Sequence, residues 1–191
     1  TSALVVLNPV SGGAAPAEVE AALRAALGDR GVALEIVPTP RTETADALVE
    51  AIEAASVQAV EGGVDLVVAV GGDGTVGMVA DAMVRSGAAD RAVLGIVPRG
   101  TGNILARELG IPLGVDAAVA LLAEGGTARW LDAMRVGGRH YFTQLGVGLD
   151  ARMIAATERE AQIAHGRVAY VAAFLQSAVN LGVARYACRV D

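Results

Sequence analysis

Short apolar runs alternate with longer helical patterns along most of the chain, and this alternation limits the possible folds more than any other feature of the sequence. The run from residue 66 to 70 is apolar at every position, which is typical of a strand buried on both faces. The pattern predicts an α/β fold, with a parallel sheet covered by helices on both sides. Strands are predicted over residues 3–7, 32–37, 65–70 and 92–97, and helices over residues 16–27, 45–61, 75–85, 104–109 and 115–123.

The pattern changes after Gly125. Strands are expected over residues 129–136 and 139–145 around a Gly137–Gly138 hairpin turn, followed by a helix over 166–183 and a strand over 184–190. Trp130 and Met134 are expected to pack within this part rather than to contact lipid. We therefore expect an α/β domain over residues 1–126 and an incomplete β-rich domain over residues 127–191. The alternative is a single domain with an attached hairpin.

The composition excludes several classes of protein. A net charge of -6 and an aromatic content of 3% argue against a general nucleic-acid binder. All 15 cationic residues are arginine, so the chain has no lysine for a Walker A loop, a protein-kinase ATP site or a pyridoxal Schiff base. The single Cys188 excludes an internal disulfide and is typical of a reducing compartment. The apolar runs are shorter than the roughly 18–20 residues of a spanning helix.

The segment after the third predicted strand, Gly71-Gly72-Asp73-Gly74-Thr75, carries the clearest chemical pattern. Glycines after a buried strand allow backbone N–H groups to approach a ligand closely, and the positive end of the following helix favours phosphate. An acidic side chain fits such a site if a divalent cation lies between it and the phosphates. The alternative is that Asp73 caps a helix that starts near Thr75.

The loop after the first predicted strand, residues 8–13, has the sequence Asn-Pro-Val-Ser-Gly-Gly. Ser11 offers a hydroxyl group, and Gly12 and Gly13 offer accessible N–H groups, although a plain strand-to-helix turn has the same composition. Thr39, after the second strand, is a weaker candidate because threonines in loops are usually caps.

The loop after the fourth predicted strand, residues 98–103, has the sequence Pro-Arg-Gly-Thr-Gly-Asn. Its Gly-x-Gly core can form an anion nest, with the Thr101 hydroxyl beside it. Arg99 either neutralises phosphate charge through its two-pronged guanidinium or lies on the solvated surface, and both remain open.

Residues 72–77 also match the G-x-G-x-x-G pattern of dinucleotide-binding proteins. Such a site needs an acidic residue at the end of the next strand to hold the ribose. The next predicted strand ends at Val97 and is followed by Pro98 and Arg99, so no acidic residue stands at its end. The pattern therefore argues against an oxidoreductase.

Together these segments resemble the diacylglycerol kinase catalytic domain and, more broadly, the bacterial lipid kinases and the sphingosine and ceramide kinases. The resemblance covers essentially the whole chain, and it rests on residues 8–12, 71–75 and 98–103 in this order and spacing. Further matching positions are Thr39, Ala45, Asp65, Ala106, Asp132 and residues 145–151.

The resemblance implies a nucleotide-binding domain akin to phosphofructokinase and NAD kinase over residues 1–126, then a lipid-substrate domain. It implies transfer of the γ-phosphoryl group of ATP, with Mg²⁺, to a hydroxyl group of diacylglycerol or a similar membrane lipid. Asp73 is the implied catalytic residue, no metal ligand set is assigned, and the general base is expected beyond residue 191. The implied nucleotide-binding residues are Asn8, Pro9, Ser11, Gly12, Gly13, Thr39, Gly71, Gly72, Asp73, Gly74, Thr75, Gly77, Gly100, Thr101, Gly102 and Asn103.

One departure from the family pattern matters for function. Where the family usually carries an Asn-Glu pair shortly after the Gly-Gly-Asp-Gly-Thr segment, this chain has Gly77 and Met78. A non-catalytic nucleotide- or lipid-binding module and an NAD kinase are therefore kept as alternatives. We further expect cytoplasmic localisation with peripheral contact at the inner face of the membrane, no nucleic-acid partner, and pairing with a second copy as one option.

Overall fold

The computed structural model describes residues 2–39 and 64–144, and a parallel sheet forms its centre. The strand order is β2-β1-β3-β4, and every neighbouring pair in this sheet is parallel. The α/β fold expected from the sequence is confirmed. The strands are β1 (Ser2–Leu7), β2 (Ala33–Pro38), β3 (Leu66–Gly71) and β4 (Val93–Pro98).

Helices flank the sheet, and local sequence explains several of their ends. Pro16 opens the first helix, where its missing N–H costs nothing. Gly87 and Gly125 end two helices with φ of 74° and 75°, a left-handed backbone that glycine adopts without strain. The helices are α1 (Pro16–Gly28), α2 (Asp73–Ser86), α3 (Ile104–Glu108) and α4 (Val115–Glu124), and a short 3-10 turn spans Ala88–Asp90.

The sheet buries both of its faces because alternate residues of each strand point in opposite directions. Leu4 and Val6 of β1 face α2 and α3, whereas Val5 and Leu7 face α1 and α4. Burying one such side chain contributes roughly 1.5–3 kcal/mol. The core is therefore two apolar layers on the two faces of the sheet. The best-buried members are Leu4, Val6, Val67, Ala69 and Val79 in one layer, and Val5, Val19, Leu23, Val68 and Val70 in the other.

At the majority of strand and helix ends, the observed residue differs from the predicted one by one or two positions. The helix after the Gly-rich turn starts at Asp73, not near Thr75, because Gly72 has the extended backbone of an N-cap (φ -89°, ψ -175°). The helix predicted over residues 45–61 and all elements predicted beyond residue 145 lie outside the described residues.

A short hairpin follows the sheet. Its strands, β5 (Met134–Val136) and β6 (Arg139–Tyr141), pair antiparallel across Gly137 and Gly138, as the sequence predicts, but they are shorter than expected. Trp130 is 83% exposed and Met134 is 41% exposed, so the expectation that they pack inside this part is wrong. The chain divides into two compact units, Thr1–Thr143 and Gln144–Asp191, and the hairpin belongs to the first. The predicted domain boundary at residues 126–127 stays a prediction.

A buried carboxylate fastens the hairpin to α2. Asp81 is 4% exposed, and its Oδ1 accepts hydrogen bonds from the backbone N–H of His140 at 2.8 Å and from the His140 imidazole Nδ1 at 2.9 Å. Arg85 lies 3.7 Å from the other carboxylate oxygen of Asp81. One side chain of α2 thus holds β6 through both its main chain and its ring.

Removing this carboxylate tests how firmly the hairpin is held. In Asp81→Ala the backbone N–H of His140 loses its acceptor, so we expect the free energy of unfolding to fall by about 1–3 kcal/mol. Urea unfolding measures the loss, and hydrogen exchange should show faster exchange in β6. The exposed Asp90, substituted by alanine, is the matched control and should change stability by less than about 0.5 kcal/mol. Unaltered exchange in β6 of the Asp81 variant would contradict the prediction.

Candidate functional site

The predicted ligand loops lie together at the carboxyl edge of the sheet. Parallel strands end on the same side, so the β1 loop (residues 8–15), the β3 turn (residues 71–75) and the β4 loop (residues 99–103) meet there. The main chain joins them directly: Asn8 N–H donates to Val70 O at 2.9 Å, and Arg99 N–H donates to Gly71 O at 2.7 Å. Thr39 follows β2 and donates its N–H to Leu7 O at 2.8 Å. The expected convergence of the loops is confirmed.

Asn8 links the β1 loop to the start of α2. Its Oδ1 accepts a hydrogen bond from the Val10 N–H at 3.0 Å, which shapes the turn. Its Nδ2 donates to Thr75 Oγ1 at 2.9 Å. Because the Thr75 residue is only 3% exposed, its hydroxyl is occupied within the protein and serves the architecture of the site.

Two glycines permit a close approach between the β3 turn and the β4 loop, and a third permits a close approach within the β3 turn. A Cβ atom on Gly100 would lie 2.5 Å from Gly72 Cα, and one on Gly72 would lie 3.0 Å from Gly100 Cα. A Cβ atom on Gly71 would lie 2.6 Å from the Cβ of Thr75. Real side chains do not fit at these distances, so the two backbones touch only because these positions are glycine.

Asp73 joins the same two segments through its side chain. It is the first residue of α2, and its Oδ1 accepts a hydrogen bond from the Ile104 N–H at 2.6 Å, at the start of α3. Its other oxygen lies against Gly102, where a Cβ atom would come within 2.8 Å of Oδ2. The alternative from the sequence, that Asp73 caps its own helix, is therefore wrong. Asp73 instead caps α3, the helix after β4.

The β4 loop is closed by Asn103. Its backbone is left-handed (φ 50°, ψ 47°), a conformation that asparagine tolerates better than most residues. Its Oδ1 accepts from the Gly100 N–H at 2.8 Å, and its Nδ2 donates to Gly100 O at 2.7 Å. The Gly100 N–H is thus used internally, and an anion nest in this loop stays a prediction for the N–H groups that follow it.

Arg99 is buried, so the expectation that it lies on the solvated surface is wrong, whereas neutralisation of phosphate charge by Arg99 stays a prediction. It is 4% exposed, and its two terminal nitrogens donate to main-chain carbonyl oxygens of the β1 loop: Asn8 O at 2.9 Å, Ser11 O at 2.9 Å and Ala14 O at 2.6 Å. Its Nε is buried without a hydrogen-bond partner. Desolvation lowers the pKa of the guanidinium from its ordinary value, although arginine stays charged at neutral pH.

A cleft of about 730 Å³ opens beside these loops, between the starts of α1 and α4. This volume is in the range of small-molecule sites. Arg99 is the cation among the described lining residues, and Glu18 and Asp116 are the acids. The other lining residues are Gly12, Gly13, Ala14, Val19, Pro98, Gly100, Thr101, Asn103, Leu113 and Val115.

The candidate residues divide by exposure into three groups: buried, half-buried and exposed. A buried group shapes the loops, and an accessible group can contact a ligand. Gly77 lies within α2 rather than in a loop, four residues after Asp73. The buried candidates are Thr39, Gly71, Thr75 and Asn103; the exposed ones are Gly12, Gly13, Gly74, Thr101 and Gly102; Asn8, Pro9, Ser11, Gly72, Asp73, Gly77 and Gly100 are half-buried.

Sequence reasoning missed the cleft walls formed by Glu18, Leu113 and Asp116. No local pattern marks them, because they enter the site only through the packing of α1 and α4 on the same face of the sheet. The first-turn position of Glu18 in a helix that follows a candidate loop is the one signal available, and its Oε2 accepts from the Ala15 N–H at 3.1 Å.

Comparison with known proteins decides the family. The model of the diacylglycerol kinase catalytic domain matches residues 2–136. The chain belongs to that family. The matched range contains the β1 loop, Thr39, the β3 turn and the β4 loop, so the segments that meet at the sheet edge lie within the part of the chain that matches the family.

Individual relatives agree with the family assignment. A Yersinia enterocolitica protein named "Probable lipid kinase YegS-like" is 34% identical over 145 residues, covering 75% of this chain and 46% of the relative. An uncharacterised Synechocystis protein is 35% identical over 137 residues, covering 72% of this chain and 30% of the relative. The chain thus spans less than half the length of these relatives. The crystal structure of a diacylglycerol kinase from Bacillus anthracis matches with a TM-score of 0.68 over 92% of this chain and 54% of that chain; at 22% identity, this establishes the shared fold.

Two glycine substitutions test the close contact between the β3 turn and the β4 loop. In Gly100→Ala the new Cβ would overlap Gly72, so we expect the midpoint of thermal unfolding to fall by several degrees, as about 1 kcal/mol shifts it by 2–8 °C. In Gly74→Ala the Cβ meets nothing within 4 Å, and we expect no loss of thermal stability. Equal melting temperatures for the two variants would contradict the close contact between the β3 turn and the β4 loop.

Proposed function

We propose that this protein is a lipid kinase that uses ATP and Mg²⁺ to phosphorylate a hydroxyl group of diacylglycerol or a similar membrane lipid. The observation that carries the proposal is the meeting of the β1 loop, the β3 turn and the β4 loop around Asp73, in a chain of the diacylglycerol kinase catalytic domain family. Phosphoryl transfer depends mainly on positioning and on stabilisation of charge, which loops of this kind supply.

Accessible backbone at the edge of the sheet supports a phosphate site. Gly12, Gly13 and Gly74 are exposed, and a Cβ atom at Gly74 would meet nothing within 4 Å. A ligand atom can therefore approach the main chain there. The 14-residue helix α2 begins at this point, and its positive end favours phosphate.

Asp73 is the residue that would hold Mg²⁺. The described residues contain no group of three or more His, Cys, Asp or Glu side chains placed to bind a metal ion. A single carboxylate suits Mg²⁺, which commonly keeps several waters and takes substrate phosphates as its other ligands. When bound, the ion neutralises charge on the phosphate oxygens. The residue that takes the proton from the lipid hydroxyl is proposed to lie beyond residue 191.

Apolar side chains on the segment after α4 support contact with lipid in this part of the chain. Trp130, Leu131, Met134 and Val136 are each at least 40% exposed. No helix in the described ranges is both long and apolar enough to cross a bilayer. We propose that the protein acts at the cytoplasmic face of the membrane in peripheral contact with lipid, and that it can pair with a second copy.

A transfer assay on the full-length gene product tests the proposed function. ATP labelled in the γ-phosphate is supplied with Mg²⁺ and either diacylglycerol in mixed micelles or NAD as acceptor. Labelled lipid is the expected product. Labelled NAD with no labelled lipid would replace the proposal by an NAD kinase, and ATP binding with no transfer to either acceptor would favour a non-catalytic binding module.

Substitution of Asp73 tests the metal role separately from the structural one. Asp73→Asn keeps an oxygen for the Ile104 N–H but removes the negative charge, so we expect a fold of near wild-type stability whose Mg²⁺-dependent ATP affinity falls by about tenfold or more. Asp73→Ala removes both functions and should lower stability as well, by about 0.5–2 kcal/mol through loss of the cap. Calorimetric titration with and without Mg²⁺ measures the affinity.

The exposed Asp90, substituted by asparagine, is the matched control for lost negative charge. Wild-type ATP affinity in Asp73→Asn, at unchanged stability, would show that the carboxylate serves only to start α3.

A further inference from the structure

We propose that Arg99 is the positioning residue of the nucleotide site, because its guanidinium holds the β1 loop in the conformation that receives phosphate. This inference rests on the proposed function for the role of the loop, but the contacts of Arg99 stand by themselves. The two terminal nitrogens reach three carbonyl oxygens that lie 85 to 91 residues away in the sequence.

The three contacts are spread along the whole loop rather than at one point. Asn8 O lies at its start, Ser11 O in its middle and Ala14 O near its end. Between the last two contacts stand Gly12 and Gly13, the exposed glycines that line the cleft, and Gly13 has a φ of 87°. Two consecutive glycines have high conformational freedom, so their N–H groups keep a fixed direction only if flanking residues are held.

Among residues 2–39 and 64–144, few other side-chain contacts hold this loop. Asn8 fixes the first turn through Val10 and Thr75, and Glu18 binds the Ala15 N–H at the far end. Neither contact lies between residues 11 and 14. The described side chain that holds both Ser11 and Ala14 is Arg99, so the geometry of the glycine pair depends on one residue of the β4 loop.

The chemistry of these contacts requires arginine. A guanidinium is a planar fork that can donate to several acceptors at fixed angles, whereas a lysine ammonium is a single charged centre on a flexible stem. Within the described part of the chain no carboxylate pairs with Arg99, and its Nε is buried and unpartnered. The guanidinium is therefore held by main-chain carbonyl oxygens rather than by an ion pair, and Glu18 and Asp116 are the acids on the same cleft.

The consequence is a coupling between the β4 loop and the β1 loop. A ligand that binds a loop already held in shape avoids the entropy cost of ordering it. Loss of Arg99 should therefore weaken nucleotide binding, and raise the Michaelis constant for ATP more than it lowers turnover.

The experiment compares wild type with Arg99→Lys and Arg99→Ala, and with Arg24→Lys as control. Arg24 is an exposed arginine of α1 that pairs with Glu20. Hydrogen exchange of residues 8–15 in the ligand-free protein measures loop order, and calorimetry with Mg²⁺ measures ATP affinity. In both Arg99 variants we expect exchange about tenfold faster in this segment and ATP affinity about tenfold weaker, with β1 and α1 unchanged. Methylguanidinium in the buffer should restore affinity to Arg99→Ala, which has space for it, but not to Arg99→Lys.

The outcomes separate this inference from the proposed function. Wild-type exchange and affinity in Arg99→Lys would overturn it, since a fork would then be unnecessary. Loss of cooperative unfolding in both variants would also overturn it, because Arg99 would then be a residue of the whole fold. Absence of ATP binding in the wild type would reject the proposed function, and the exchange comparison would still decide whether Arg99 orders the loop.

Discussion

The contact between the β3 turn and the β4 loop is the constraint on which the rest of the site depends. Gly72 and Gly100 bring two backbones so close together that a Cβ atom on Gly100 would overlap Gly72, and one on Gly72 would force Gly100 to move. This closeness allows the Asp73 carboxylate to accept a hydrogen bond from the Ile104 N–H. The first residues of α2 and α3 are thereby bonded to each other. A parallel sheet aligns the ends of its strands, but the glycines determine how closely the loops beyond those ends approach each other.

Arg99 joins the β1 loop to the β3 turn and the β4 loop. Burial of a charge costs several kcal/mol unless polar partners replace the water that it loses. Three main-chain carbonyl oxygens supply that replacement here, and the guanidinium N–H groups in turn satisfy these acceptors in a loop that has no regular structure. Arg99 thus gains its partners from the loop and gives the loop its shape, so neither would be stable in this arrangement without the other.

The sequence predicts the sheet well because burial on both faces leaves a continuous apolar run that is hard to mistake. The run that forms β3 is expected within one residue of its observed bounds, and the convergence of the loops follows from parallel strands alone. The roles of Arg99 and Asn103 could not be predicted. They depend on which backbone atoms the fold brings beside these side chains, namely those of the distant β1 loop for Arg99 and of Gly100 for Asn103. A local pattern places an arginine near phosphate or in water with equal ease; only packing shows that it is buried. The same applies to Trp130, whose exposure no periodicity could indicate.

The departure at Gly77 and Met78 has a physical meaning within this framework. Gly77 lies four residues after Asp73 on the same helix, so a side chain there would stand beside the Asp73 carboxylate, and a Cβ atom meets nothing within 4 Å. Met78 is half-buried and packs against the apolar layer between α2 and the sheet. A glutamate in its place would lose that packing and bring a charge to the edge of the core. This chain therefore lacks two polar side chains near the proposed phosphates. Gly77 leaves open space in place of the first, and Met78 contributes a core contact in place of the second. Under the proposed function, Asp73 is then the charged side chain left in the first turn of α2 to hold the metal ion.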